Sequence, residues 1–210
     1  MRLSSAERRA LLLQAALRVI AEQGVAGATT RAIVAEAGMS LASFHYAFRS
    51  HAEMMRDLIA HVVDAEVAAA FATVTPGSDI RSTLRNGMQA YLDYVVADPA
   101  HEQVMFELFH YALRTPDLEV LAREQYTRYH ESVARIVVGG AEAVGVEWSI
   151  PSADVARLIV TFTDGITLAW LADRDDAAAH RTLDFAADSL AALAVPRPVP
   201  VPTDASQETR

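Results

Sequence analysis

Apolar residues recur along most of the chain three and four positions apart, which is the spacing of one face of an α-helix. Capping residues, glycines and prolines divide this pattern into segments of helical length. We therefore predict nine helices, with approximate bounds 5–23, 30–38, 41–47, 51–73, 79–97, 99–114, 117–145, 152–173 and 175–194. Because alanine and leucine dominate the apolar residues and favour helices, the predicted fold class is all-α.

The first three predicted helices are short and lie within about 50 residues, with Gly38 at the turn between the second and the third. This is the plan of a helix-turn-helix. We predict a DNA-binding domain over residues 1–50, with its motif at about 29–48, and a larger helical domain for ligand binding and dimerisation over 51–195. Residues 196–210 contain four prolines in their first seven positions and then only small or polar residues, which predicts a disordered tail.

Positive charge is concentrated at the start of the chain. Residues 1–51 hold six arginines and three glutamates, a net charge of +3, whereas the rest of the chain carries −12. The whole chain has a net charge of −9 and contains no lysine. A basic end on an acidic body is expected where one end alone binds phosphate.

Composition excludes several classes of protein. The chain has no cysteine, so it has no disulfides, thiolate metal sites or cysteine nucleophiles. The first residues lack the apolar stretch of a signal peptide, and the most apolar window, 158–171, is short for a membrane span and contains Asp164. We expect a cytoplasmic protein that binds no membrane, no metal and no cofactor.

The segment from Gly27 to Phe48 reads GATTRAIVAEAGMSLASFHYAF and resembles the signature of the TetR family of bacterial transcriptional regulators. The matching features are the Thr-Thr-Arg start, the Ala-Gly-Met-Ser turn and the aromatic run at the end. The resemblance in motif covers about residues 8–55. It implies a ligand-responsive regulator, in most family members a repressor, that a small molecule releases from a palindromic operator.

The resemblance also implies which residues contact operator DNA, chiefly those at the start of the second and third helices. The candidate DNA-binding residues are Thr30, Arg31, Ser40, Leu41, Ala42, Ser43, His45, Tyr46 and His51. Arg31 is the strongest candidate because its guanidinium can bind a base or a phosphate bidentately. His45 and His51 stand where such proteins usually carry Tyr and Lys, so phosphate affinity is expected to depend on pH.

Most of the aromatic residues and methionines of the larger domain lie in the helices predicted between 79 and 145. Such residues form ordinary cores, but buried tyrosines need partners for their hydroxyls and suit a partly polar cavity. The candidate ligand-binding residues are Met88, Tyr91, Phe106, Phe109, Tyr126 and Tyr129. The resemblance implies that a ligand here shifts the fourth helix and thereby moves the recognition helices apart.

The helix predicted at 152–173 is apolar on almost every side and must be covered all round. We expect it to form a four-helix dimer interface with the last helix and the same two helices of a second copy. The candidate interface residues are Phe162, Ile166, Trp170, Phe185 and Leu190. Asp164, in mid-helix, either pairs with an arginine or faces the ligand, and the pairing is favoured.

Two other classes compete with a transcriptional regulator. An enzyme is disfavoured because the sequence has no Gly-x-Ser-x-Gly, no His-Glu-x-x-His and no glycine-rich phosphate loop. The second is a dimeric helical interaction or ligand-sensing module that has lost specific DNA binding, prompted by the missing Lys and Tyr.

Overall fold

The computed structural model describes residues 4–71, 77–116 and 118–197, without the side chains of residues 62–71. In these ranges the chain forms nine α-helices and two short β-strands: α1 (Ser5–Gly27), α2 (Thr30–Glu36), α3 (Leu41–Ala47), α4 (His51–Phe71), α5 (Ile80–Ala97), α6 (Pro99–Arg114), α7 (Glu119–Ala143), β1 (Val146–Trp148), α8 (Ser152–Asp173), α9 (Asp176–Ala191) and β2 (Ala194–Pro196). The all-α fold class is confirmed, and every predicted helix is present.

Capping side chains determine where the first three helices begin. Ser4 and Glu7 form a capping box, in which each side chain accepts the backbone N–H of the other residue. Thr29 and Ser40 cap α2 and α3 by the same type of bond. Gly38, in the turn between these helices, has a φ of +62°, in the left-handed region that favours glycine.

Gly24 interrupts α1 near its end. It has a φ of 72° and a ψ of 171°, after which the helix resumes as far as Gly27. The break at Gly24 was predicted, but the short continuation was not. A Cβ at this position would also lie 3.2 Å from Oε1 of Glu107 on α6. The positive φ therefore requires glycine, and an added Cβ would in addition crowd the Glu107 carboxylate.

The buried side chains form two clusters. The first joins α1, α2 and α3 to the start of α4 and to one face of α6. It contains Ile33, Val34, Phe44 and Phe48, which hold the short helices against α1. The second cluster joins α5, α7, α8 and α9. Although α6 lies in the larger domain by sequence, it packs into the core of the DNA-binding domain.

A short antiparallel sheet of β1 and β2 closes the larger domain, with Val146 opposite Pro196. This sheet was not predicted, and α9 ends at Ala191 rather than near residue 194. Pro196 is at the last position of its strand, where a missing N–H is tolerated. Arg197 donates its backbone N–H to the carbonyl of Gly145 at 3.1 Å. Residues 196 and 197 of the predicted disordered tail are therefore ordered, and the rest of that prediction, residues 198–210, lies outside the described residues.

Among the described helices, α8 alone is long and apolar enough to cross a membrane by length and composition. It packs against α5, α7 and α9 and contributes to the second core cluster. A core helix passes the same test, and this packing accounts for the apolar residues on the buried side of α8.

Candidate DNA-binding surface and effector cavity

One face of α3 is exposed while the other is buried. Leu41 and Tyr46 are 45% and 71% exposed, and Ala42 and His45 are exposed beside them. On the opposite face Phe44 is buried in the core of the DNA-binding domain. These four exposed side chains lie together on a seven-residue helix, as a recognition helix requires.

The other predicted contacts of the motif differ in how available their side chains are. Ser40 accepts the N–H of Ser43 at 3.2 Å, and the two hydroxyl oxygens are 3.1 Å apart. Both serines are therefore engaged in capping α3. Thr30 begins α2 and is half-buried, whereas Arg31 is exposed and forms no ion pair among the described side chains.

His51 has a structural contact that was not predicted. Its Nε2 lies 2.6 Å from the backbone carbonyl oxygen of Ala28. A carbonyl oxygen only accepts, so Nε2 carries the hydrogen. This bond fixes the start of α4 to the loop between α1 and α2. A contact of His51 with DNA stays a prediction.

Arg9, counted by sequence among the basic residues of the domain, instead holds the domain together. It donates to the carbonyl oxygen of Ala47 at 2.7 Å and pairs with Glu53 and Asp57 on α4. Its guanidinium lies 4.3 Å from the ring centroid of Phe48. The hydrogen bond with Asp57 raises the pKa of Arg9 above its usual value. The spacing of Glu53 and Asp57, one helical turn apart, is the sequence signal that could have indicated this pair.

A large cavity lies between α5, α7 and α8 in the second domain. It has about 890 Å³ of empty space, its opening to solvent included. Its walls are mainly aliphatic, with Trp148 from β1 on one side. Met88, Tyr91 and Tyr129 are the predicted ligand-binding residues that line it. Trp148 was not predicted, because a strand of three residues has too short a pattern to place it.

A second, smaller cavity, with about 310 Å³ of empty space when its opening to solvent is included, adjoins the first and shares Tyr91, Tyr129 and Asp164 with it. The remaining predicted residues, Phe106, Phe109 and Tyr126, line this smaller cavity. The six candidates thus lie around two cavities with shared walls. The ring centroids of Phe109 and Tyr126 are 4.9 Å apart, and those of Tyr126 and Tyr129 are 5.9 Å apart.

Polar groups of the smaller cavity are joined in short hydrogen bonds. Tyr126 donates its hydroxyl to Oδ2 of Asp164 at 2.6 Å, and Tyr91 donates to Oε1 of Glu102 at 3.2 Å. Gln125 donates its amide to the hydroxyl of Tyr129 at 2.9 Å. Each of these half-buried tyrosines has a polar partner for its hydroxyl.

Two carboxyl groups face the smaller cavity, and one of them was not predicted. Glu102 is 3% exposed, and its Oε2 has no hydrogen-bond partner within the described part of the chain. The pKa of Glu102 is raised to about 7, chiefly by burial and to a lesser extent by the nearby Asp164, while the hydrogen bond from Tyr91 acts in the opposite direction. Burial also raises the pKa of Asp164.

The predicted pairing of Asp164 with an arginine is wrong. Tyr126 is its hydrogen-bond partner, and no described arginine forms an ion pair with it. The side chain lines both cavities, which is the alternative that the sequence left open.

α6 connects the smaller cavity with the DNA-binding domain. Glu102 and Phe106 line the cavity, while Glu107 accepts the backbone N–H of Val25 at 2.9 Å. Val25 directly follows the break in α1 at Gly24. This hydrogen bond joins α6 to the last turn of α1.

α8 and α9 present an exposed face of small and apolar residues. On α8 it contains Leu158, Gly165 and Leu168, and on α9 it contains Phe185, which is 65% exposed. Phe162, half-buried, lies in the groove between the two helices.

Three of the predicted interface residues point into the subunit. Ile166, Trp170 and Leu190 are buried in the second core cluster of the subunit. Trp170 also donates its Nε1–H to Asp176 at 2.7 Å. Their assignment to an exposed interface is corrected, because a helix that is apolar all round gives no sign of which side the chain itself covers.

These features define a helix-turn-helix DNA-binding protein whose larger helical domain contains a ligand-sized cavity. The family described as bacterial regulatory proteins, tetR family, matches residues 12–58, and that described as BetI-type transcriptional repressor, C-terminal, matches residues 80–195. The chain belongs to the TetR family and is a ligand-responsive, DNA-binding transcriptional repressor.

Known relatives agree with this assignment. The chain is 31% identical over 176 residues to the HTH-type nicotine-responsive transcriptional repressor HdnoR of Paenarthrobacter nicotinovorans, covering 84% of this chain and 90% of the relative. It is similar to the multidrug binding protein EbrR, solved with imidazole, with 26% identity, a TM-score of 0.62 and coverage of 93% and 92%. A transcriptional regulator from Rhodococcus sp. Rha1 shares the fold, with a TM-score of 0.72, 22% identity and coverage of 90% and 99%.

Proposed function

We propose that two copies of this chain bind a palindromic operator in the cytoplasm, each inserting α3 into the major groove. The observation that carries this is the exposed face of α3 with Arg31 at the start of the preceding helix. Arg31 binds a base or phosphate, Tyr46 and His45 reach the DNA from α3, and Leu41 and Ala42 meet thymine methyl groups.

The dimer forms through the exposed face of α8 and α9. Leu158, Gly165 and Leu168 supply one side of it, and Phe162 and Phe185 supply the aromatic contacts. A symmetric dimer places two recognition helices on two half-sites, so protein symmetry accounts for operator symmetry.

The paired cavities receive the effector, a small organic molecule. Their size and their mixture of aliphatic walls with a few polar groups support this assignment. The descriptions of HdnoR as nicotine-responsive and of EbrR as multidrug binding also support a small organic effector.

The substitution Arg31→Ala tests the DNA-binding assignment. We expect it to weaken operator binding by at least about tenfold, since a bidentate contact contributes about 1–3 kcal/mol. The measurement is a DNase footprint on operator DNA selected from a random pool. Arg123→Ala, which removes an exposed arginine of α7, is the matched control and leaves the footprint unchanged. Equal protection by Arg31→Ala and the native protein would contradict the assignment.

A further inference from the structure

Two carboxyl groups from different helices line one small, mainly aromatic cavity. Glu102 comes from α6 and Asp164 from the middle of α8. Both side chains are held in place by tyrosine hydroxyls, at 3.2 Å for Glu102 and 2.6 Å for Asp164. Among the described residues, Oε2 of Glu102 has no hydrogen-bond partner.

Among the described residues, no arginine forms an ion pair with Glu102 or Asp164. The arginines there form their ion pairs with other carboxylates, on the surface and between α1 and α4. His130 on α7 interacts electrostatically with Asp164 and acts to lower the pKa of that carboxyl group. The pKa of His130 is itself lowered, by burial and by the nearby Arg157. A buried carboxylate without a cationic partner is costly and takes up a proton more readily, whereas a cation bound between the two groups would stabilise both in their charged form.

The remaining walls suit an organic cation better than a metal ion. Phe106, Phe109, Tyr126 and Tyr129 line the same cavity as the two carboxyl groups, and aromatic faces attract ammonium groups. Among the described residues, no group of three His, Asp or Glu side chains could hold a metal ion. The adjoining large cavity has room for the apolar part of such a cation.

We propose that the effector is an organic cation whose charged nitrogen lies between Glu102 and Asp164 and whose apolar part extends toward Met88 and Trp148. The proposal rests on the proposed effector cavity and names the chemical class that it binds. A carboxylate or phosphate ligand would be repelled by the two acidic groups. A neutral hydrocarbon would bury them without compensation.

Isothermal titration calorimetry of the full chain with matched probes tests this. The probes are benzyltrimethylammonium, benzyltriethylammonium and neopentylbenzene, the neutral hydrocarbon in which carbon replaces the nitrogen of the first. At pH 8 we expect the cations to bind at least about tenfold more tightly than the hydrocarbon. Glu102→Gln and Asp164→Asn should each reduce this preference by about tenfold or more. Glu131→Gln, which removes an exposed carboxylate of α7, is the matched control and leaves the preference unchanged.

The proposal is overturned if the hydrocarbon binds as tightly as the cations. It is also overturned if the preference survives in both variants, or if neither cation binds at millimolar concentration. The two carboxyl groups would then be a structural pair that shares a proton.

Release of the operator is measured separately with the same probes. The effector role of the cavity and the cationic nature of its ligand can then be contradicted independently of each other. Carboxylate-dependent binding of a cation without release of DNA would contradict the effector role of the cavity alone. Release of DNA by a molecule whose binding is insensitive to Glu102 and Asp164 would contradict the cation proposal alone.

Discussion

At the scale of single residues, the burial of Glu102 affects stability as well as binding. Its pKa of about 7 in the folded protein lies above the ordinary value of 4.5. The folded state therefore binds more protons than the unfolded state between these two values. Stability decreases as pH rises through this window, because the charged form is the one that burial disfavours.

The substitution Glu102→Gln should for this reason stabilise the protein at pH 8. The pKa difference corresponds to about 3 kcal/mol in the free energy of unfolding, which the neutral amide avoids. Near pH 4.5 the variant and the native protein should be almost equally stable. Urea denaturation at the two pH values measures the difference.

The groups that face Glu102 could alter the size of this effect but not its sign. They are Tyr91 on α5, Asp164 on α8 and, through Asp164, His130 on α7. Glu131→Gln serves again as the control and should change stability little at either pH. A loss of stability in Glu102→Gln at pH 8 would show that its carboxylate has a partner that stabilises the fold.

Glu102 could have been found from the sequence, whereas the environment of Asp164 could not. Glu102 precedes Met105, Phe106 and Phe109 by three, four and seven positions, so it lies on the apolar stripe of α6. For Asp164 the sequence showed a charge in an apolar helix, but whether an arginine or a cavity faces it depends on α7, whose packing is not encoded locally.

At the scale of elements, the helix bounds were predictable because capping residues, Pro99 and the glycines mark them. The strands were not, since three residues carry no usable periodicity. The sequence also did not indicate which side of α8 is buried within the subunit and which side is exposed. Its groove with α9 buries Ile166 and Trp170, and the exposed face lies about Gly165.

Gly165→Arg should therefore split the dimer. Gly165 is exposed on α8, and an added Cβ would meet no atom within 4 Å, so the subunit itself can accept a side chain there. A charged side chain in the middle of an apolar interface would prevent close packing of the two copies. Sedimentation equilibrium should show a monomer.

Gly139→Arg is the matched control for this experiment. Gly139 is likewise exposed in a helix, α7, with no atom within 4 Å of an added Cβ. This variant should remain a dimer. If Gly165→Arg also sediments as a dimer, the interface lies elsewhere on the molecule.

At the scale of the whole molecule, α6 is shared between the two functions. One face of it packs into the core of the DNA-binding domain, and its first turns carry Glu102 and Phe106. Glu107 then binds the N–H of Val25 next to the break in α1. A ligand that draws Glu102 toward itself can thus reposition α1, and with it the recognition helix, because packed elements move together.

The measurement that tests this coupling most directly is the fluorescence anisotropy of a labelled operator fragment during titration with the tightest-binding cation. The native protein should release the DNA over the concentrations that fill the cavity in calorimetry. The Glu107→Ala variant should bind the cation at the same concentrations as the native protein. It should release less DNA, because the hydrogen bond between Glu107 on α6 and Val25 on α1 is lost. If the native protein keeps its operator while the cavity is saturated, or if Glu107→Ala responds like the native protein, the cavity does not control the DNA-binding domain through α6.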